Sequence, residues 1–307
     1  MGITNFDVVQ AGAFVGPSTP LINPFGKVWF VNGSAPSPSD GKTPDSAYTT
    51  LTAALTASAA GDTFIIAPGT YSHTATFTPK ARQTFIAAVQ QKGYPTVTIT
   101  ATSALTGDLI TLDVAGVSFI GIEFLAGHAN QATLVDIADA ADVNGAFFKD
   151  CVFNGADKTS VVGIQADDAT FIPTGIVIED CLFRDLTGTG LDIGVLGMPY
   201  GKVRHNTFAL DINSGTGIAL ADTTAFATGK GFVIEENNFI GFDATADEVG
   251  ITIAGTENTT AAGIIRNNYF SFVAAAAITA DKISQAMVNN YVGDAGTGGT
   301  LVDAGTA

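Results

Sequence analysis

The sequence predicts an all-β solenoid, and three observations carry that expectation: a short phrase written seven times, its period, and the residue types inside it. The phrase is an apolar residue, two that are usually polar, a small or amide residue, a variable one, then an aromatic. It reads Phe119-Ile-Gly-Ile122-Glu-Phe124, Phe148-Lys-Asp-Cys151-Val-Phe153, Ile178-Glu-Asp-Cys181-Leu-Phe183, Val203-Arg-His-Asn206-Thr-Phe208, Ile234-Glu-Glu-Asn237-Asn-Phe239 and Ile265-Arg-Asn-Asn268-Tyr-Phe270, with a weaker last copy, Met287-Val-Asn-Asn290-Tyr-Val292. The closing position advances by 29, 30, 25, 31, 31 and 22 residues. An irregular period of this size, with strand-forming residues in every copy, marks coils that bury their apolar faces only against their neighbours.

Three segments follow in order. Residues 1–27 are punctuated by Gly and Pro but carry Ile3, Phe6, Val8, Val9, Phe14, Val15, Leu21, Ile22 and Phe25. That apolar content is high for a solvated tail, so an arm for attachment or oligomerisation is expected. Residues 28–72 form a leading strand and capping helix. Val28-Trp-Phe-Val31 reads as a strand and Asn32 to Asp45 as a loop. Tyr48 to Ala60 reads as a helix, with Leu51, Ala54, Leu55 and Ser58 on one side. Thr63 to Ala67 reads as a strand, followed by a Pro68-Gly69 turn. A helix here covers the open apolar end of a solenoid.

Residues 73–307 are the coils. Each carries a second strand: Leu134–Ile137, Val162–Gln165, Leu191–Ile193, Ile218–Leu220, Ile251–Ile253, Ile278–Ala280 and Leu301-Val302. Gly190, Gly217 and Gly250 precede several of these, as expected where the chain turns. Roughly eight coils, each rising about 4.8 Å, make a rod on the order of 40 Å long.

Stacking the copies in register gives columns. The apolar column (Phe119, Phe148, Ile178, Val203, Ile234, Ile265, Met287) and the aromatic column (Phe124, Phe153, Phe183, Phe208, Phe239, Phe270, Val292) are expected in the core. Asn206, Asn237, Asn268 and Asn290 suggest an amide ladder at a corner. The first outward position, expected exposed, alternates in sign: Lys149, Glu179, Arg204, Glu235, Arg266. Unlike charges on neighbouring strands set register, and this reading explains the whole column where a catalytic reading explains single members.

Asp150, Asp180, His205 and Glu236 could share a proton or bind calcium, but read more simply as an acidic stripe in water. Asp167-Asp168 has a loop-like setting. Cys151 and Cys181, one coil apart, point the same way and are expected as buried free thiols. With His73, His128 and His205 dispersed, the cysteines make no zinc set. Phosphate-cradling loops and nucleophile elbows are absent from the sequence.

Composition narrows the partners. Of 307 residues only 13 are Lys or Arg, and the net charge is −16, which opposes nucleic acid and anionic lipid. Mean hydropathy is positive, yet Ser271 to Ala280 is too short to span a bilayer and the stretch from Val8 to Gly26 is broken by Pro17, Pro20 and Pro24. Membrane insertion is therefore not expected. The start of the chain lacks the charged and apolar regions of a secretory signal, so assembly in a cytoplasm is expected.

Gly33, Asp40-Gly41, Pro44, Tyr48, Leu51, Ala54-Leu55, Ala60-Gly61-Asp62-Thr63 and Pro68-Gly69-Thr-Tyr71 together resemble the leading segment of the pectate-lyase-like superfamily. The Ile-x-x-Asn-x-Phe coils resemble its repeats, so the likeness covers nearly everything after residue 28. It implies a right-handed parallel β-helix with a short N-terminal capping helix. The superfamily includes polysaccharide lyases, glycoside hydrolases, bacterial adhesins and phage virion proteins, so function must come from particular residues. Of the hydrolase signatures only the paired Asp167-Asp168 is present. The lyase Trp-Ile-Asp-His motif is absent, and the single tryptophan, Trp29, lies in Val-Trp-Phe-Val. No catalytic residue, cofactor or metal ligand is assigned. What remains resembles the phage structural members, and implies a homotrimer in a virion that meets other capsid or tail proteins through residues 1–27. The expectation is a non-enzymatic capsid decoration or short spike. The alternative is a tailspike-type protein that binds or depolymerises a host glycan, against which stand one Trp and six Tyr.

Overall fold

The computed structural model describes residues 26–302 apart from 37–38, 92, 106, 130, 138–142, 159–160, 167–172, 195–197, 211–214, 221–230, 242–248, 254–262, 272–275, 281–285 and 294–299. Residues 1–25 of the expected arm, Asp167-Asp168 and residues 303–307 lie outside the described residues.

The chain is a right-handed parallel β-helix of three sheets. The first holds ten strands, from Val28–Val31 to Ala286–Val288; the second holds ten, from Gly69–His73 to Thr300–Val302; the third holds seven, from Ile110–Leu112 to Ala276–Ala280. Seven coils thus contribute to all three sheets, fewer than the eight expected, with incomplete coils at both ends.

The recurring phrase is two strands, not one. Phe147–Lys149 lies in the first sheet and Val152–Lys158 in the second, joined by a tight corner. The third residue of the phrase makes that corner with positive φ in all seven copies: Gly121, Asp150, Asp180, His205, Glu236, Asn267 and Asn289, between 52° and 71°. Its N–H still finds a partner one coil on, as Asp180 N donates to Arg204 O at 3.3 Å and Glu236 N to Arg266 O at 3.2 Å.

In-register pairing stacks like on like. Phe148 pairs with Ile178 and Phe153 with Phe183. The second-sheet rings form a continuous stack: Phe153, Phe183, Phe208, Phe239 and Phe270 follow at centroid spacings of 4.6, 4.5, 4.8 and 4.7 Å, with planes within 12° of parallel. Each such pair adds about 1 kcal/mol beyond burial. A second stack, Phe64, Phe85, Phe119 and Phe148, fills the first sheet's inner face before aliphatic residues take over.

These rings account for the glycines of the third sheet. A Cβ on Gly190 would lie 2.9 Å from Phe208 Cδ1, and one on Gly217 2.6 Å from Phe239 Cδ1. The same Cβ atoms would meet the carbonyl of the next glycine at 2.7 and 2.6 Å. Close approach to the ring stack and to the next coil's backbone, in addition to the turn, excludes a side chain there.

At the N-terminal end the helix is shorter than the expected span, running Leu51–Ala57. Thr50 starts it by accepting the N–H of Ala53, and a 3-10 turn, Pro44–Ser46, occupies the preceding chain. Leu51 and Ala54 are buried against the core. The C-terminal end departs from expectation. Leu301-Val302 does not join the third sheet: Thr300–Val302 turns back and pairs antiparallel with Asn290–Gly293. An antiparallel return takes up backbone groups on the last strand that a further coil would otherwise use.

Candidate functional surface

Most of the polar candidates have structural partners. The alternating column is an ion-pair ladder on the first sheet: Glu179 receives Lys149 Nζ at 2.6 Å and Arg204 Nη2 at 2.5 Å, and Arg266 Nη2 meets Glu235 at 2.6 Å. Glu179 is only 2% exposed, which corrects the expectation that this position faces water. Burial works against the Lys149 charge, but Glu179 and Asp180 outweigh it and raise its pKa above the ordinary lysine value.

Asp150, Asp180, His205 and Glu236 are the left-handed corner residues. Asp180 faces Lys149 at 3.4 Å and His205 Nε2 faces Glu236 at 2.7 Å. The asparagines form the expected ladder. Asn206 Nδ2 donates to Asn237 Oδ1, Asn237 to Asn268 and Asn268 to Asn290, each at 3.0 Å. Each Oδ1 also accepts the backbone N–H of the preceding member, and each Nδ2 also reaches a first-sheet carbonyl, so buried corner groups are satisfied.

Cys151 and Cys181 extend that column, buried and free. Burial, then the neighbouring Cys151, pushes the Cys181 thiol well above its usual pKa. His73 is buried against Phe77 with its pKa lowered by burial, and His128 bonds the carbonyl of Leu105. Trp29 is buried, its indole donating to Asp62 at 2.7 Å. A polar hub that the phrase does not reveal lies on the second sheet, where Thr98, Asn154 and Arg184 all converge on Glu123.

The third sheet offers the surface best placed for recognition. The corner between the first and second sheets is tight in every copy, whereas the connections that leave the third sheet are longer, as between Ile193 and Lys202 or Leu220 and Val233, and such loops carry function on a rigid scaffold. Along its outer face the register sets Thr111, Asp136, Gln165, Asp192, Ala219 and Thr252 in one row. Asp136 and Asp192 flank Gln165 two strand spacings apart, about 9.6 Å. The carboxamide oxygen of Gln165 accepts the Thr133 hydroxyl at 2.7 Å, turning its NH2 away from Thr133. The row offers two carboxylates and an amide, groups that pair with sugar hydroxyls. Sequence reading missed the row because these residues occupy the variable position of the second-strand phrase.

Two grooves mark the N-terminal end. One, of about 100 Å³, is lined by hydroxyls of Thr49, Thr50, Thr52, Thr70 and Ser72 beside His73. The other, of about 250 Å³, is apolar, with Phe30, Val31, Pro44, Ala47, Ile65 and Ala67 among its walls. It opens where the outer row of the first sheet is itself apolar: Phe30, Ile65, Ile86 and Ile120 precede Lys149 in register.

No protein-family profile matches the chain, and no curated protein does. Solved structures do. The pectin methylesterase of Aspergillus niger superposes with a TM-score of 0.55 at 17% identity, covering 89% of this chain and 87% of that one. Pectate lyase Pel9A gives 0.50 at 12% identity, over 92% and 78%. The tailspike protein of the E. coli bacteriophage HK620 gives 0.35 at 11%, over 76% and 60%, a likeness too low to bear on function. The chain shares the parallel β-helix fold of these proteins; at these identities the activities of the neighbours stay with the neighbours.

Proposed function

We propose that the chain is a non-enzymatic structural protein of a virus particle, a β-helical capsid decoration or short surface spike attached through its N-terminal end. The observation that carries this reading is the split outer row of the first sheet. Phe30 and Ile65 at its N-terminal end border the 250 Å³ groove, and Ile86 and Ile120 beyond them are buried. The members from Lys149 to Arg266 are charged, with Lys149, Glu179 and Arg204 paired together and Glu235 paired with Arg266. An apolar groove beside a charged stretch of the same row suits contact with protein at the N-terminal end. Residues 1–27 join the solenoid at this end, and attachment to capsid or tail proteins, with assembly as a homotrimer, is assigned to them and to the groove. The non-repetitive arm, the sparse lysine and the strongly acidic composition, which resemble phage structural proteins, support a particle surface.

The test is incorporation. Ile65→Lys, and separately deletion of residues 2–25, should leave the β-rich circular dichroism spectrum unchanged and abolish incorporation into particles. Incorporation at the wild-type level by both variants overturns the reading.

A second reading, a protein that cleaves host polysaccharide, is favoured by the Asp136–Gln165–Asp192 row alone. Its sign is shortening of host polysaccharide by the purified protein, lost in Asp136→Asn or Asp192→Asn. Unshortened chains eliminate it.

A further inference from the structure

The last two coils repeat a pattern that the earlier ones lack. Arg266-Asn-Asn-Tyr269 and Val288-Asn-Asn-Tyr291 place a tyrosine two residues after the left-handed corner. In the three preceding coils that position is Leu182, Thr207 and Asn238. Tyr269 and Tyr291 are direct register partners on the second sheet's outer face, so their Cα atoms lie about 4.8 Å apart. They are 46% and 49% exposed, so neither serves the core.

Beside them the exposed corner residues Asn267 and Asn289 stand one coil apart, each held with φ near 55° or 52°. Their inward neighbours, Asn268 and Asn290, are locked in the amide ladder, so the backbone that presents the outward residues is rigid. The result is a two-by-two array, two phenols next to two carboxamides, on a preorganised sheet. Among the described residues the cation alongside is Arg266, which is tied to Glu235 at 2.6 Å, on a protein of charge −16.

We propose that this array is a binding site for a neutral glycan. Phenol rings give broad, stiff, amphipathic contact for the C–H face of a sugar ring at small entropic cost. Carboxamides supply both a donor and an acceptor to neighbouring hydroxyls. An acidic glycan meets the repulsion of the whole molecule. The inference goes beyond the attachment role and does not rest on it, since the array lies at the end of the solenoid opposite the apolar groove.

Calorimetric titration of the full chain with neutral hexose and N-acetylhexosamine oligosaccharides, and with a sulfated oligosaccharide for comparison, tests the site. At least one neutral glycan should bind. Tyr269→Ala or Tyr291→Ala should weaken it about tenfold, and the double variant should abolish it. Tyr269→Phe, which keeps the ring, should stay close to wild type, as should Tyr200→Ala, which alters an exposed tyrosine elsewhere. The proposal is overturned if no neutral glycan binds, if the sulfated one binds best, or if the double variant binds like wild type. It is equally overturned if the double variant changes the sedimentation coefficient without changing glycan binding, because the tyrosines then join copies of the chain. None of these outcomes touches particle incorporation, which tests the attachment role separately.

Discussion

The carboxylate of Asp62 ties the cap to the solenoid by accepting the indole N–H of Trp29 at 2.7 Å across 33 residues. The same carboxylate takes the backbone N–H of Lys27 and of Ala59, each at 2.8 Å, so one buried side chain joins the first strand, the end of the helix and the next strand. Burial alone would raise its pKa; hydrogen bonds from Ala59, Trp29 and Lys27 outweigh that and hold it below the ordinary carboxylate value.

A depressed folded-state pKa contributes stability above the unfolded value, near pH 4, and loses it as pH falls through the folded value. Asp62→Ala strands three donors and should cost about 3 kcal/mol at pH 7. The difference from wild type should shrink below about pH 4. Urea midpoints across pH measure both, and a pH-independent difference contradicts the assignment.

Asn237→Ala removes a buried ladder member that donates to Asn268 Oδ1 and Val203 O and accepts from Asn206. Several buried groups lose partners together, so a loss of about 3 kcal/mol is expected in chemical denaturation. Asn289→Ala, at the exposed corner, should cost about 1 kcal/mol or less.

Gly217→Ala pushes a methyl into Phe239 and the Gly250 carbonyl. Overpacking of this kind costs about 1–3 kcal/mol, read as a lowered melting temperature. Adding Phe239→Leu should recover part of the loss, because only the ring half of the clash is relieved.

Glu236 occupies a left-handed corner that its side chain disfavours, and its bond to His205 is solvent-exposed. Replacement by Asn, the residue at the equivalent Asn267 and Asn289, should stabilise the protein by about 0.5–1 kcal/mol. A lowered denaturation midpoint for Glu236→Asn would show that the side chain does more than turn the corner.

The sequence by itself determined the solenoid, its core columns, the amide ladder and the alternating charges. The physical reason is parallel, in-register stacking: residues at the same phase of successive coils become neighbours, so self-similarity in one dimension is already a contact map. Phe183 over Phe208 and Asn237 over Asn268 could be read that way because both members of each pair occupy the same place in the phrase.

Tertiary structure decided what lies between the repeats and at the ends. Periodicity cannot report that the phrase bends at Asp180 into a second sheet, since a strand and a corner carry the same spacing. It cannot single out Asp136, Gln165 and Asp192 as one outward row, because their side chains differ from coil to coil. Nor does it say that Thr300–Val302 returns antiparallel, since a short apolar strand reads the same in either direction. Exposure of Tyr269 and Tyr291 likewise depends on the face of the sheet they occupy, and a count of tyrosines does not contain that information.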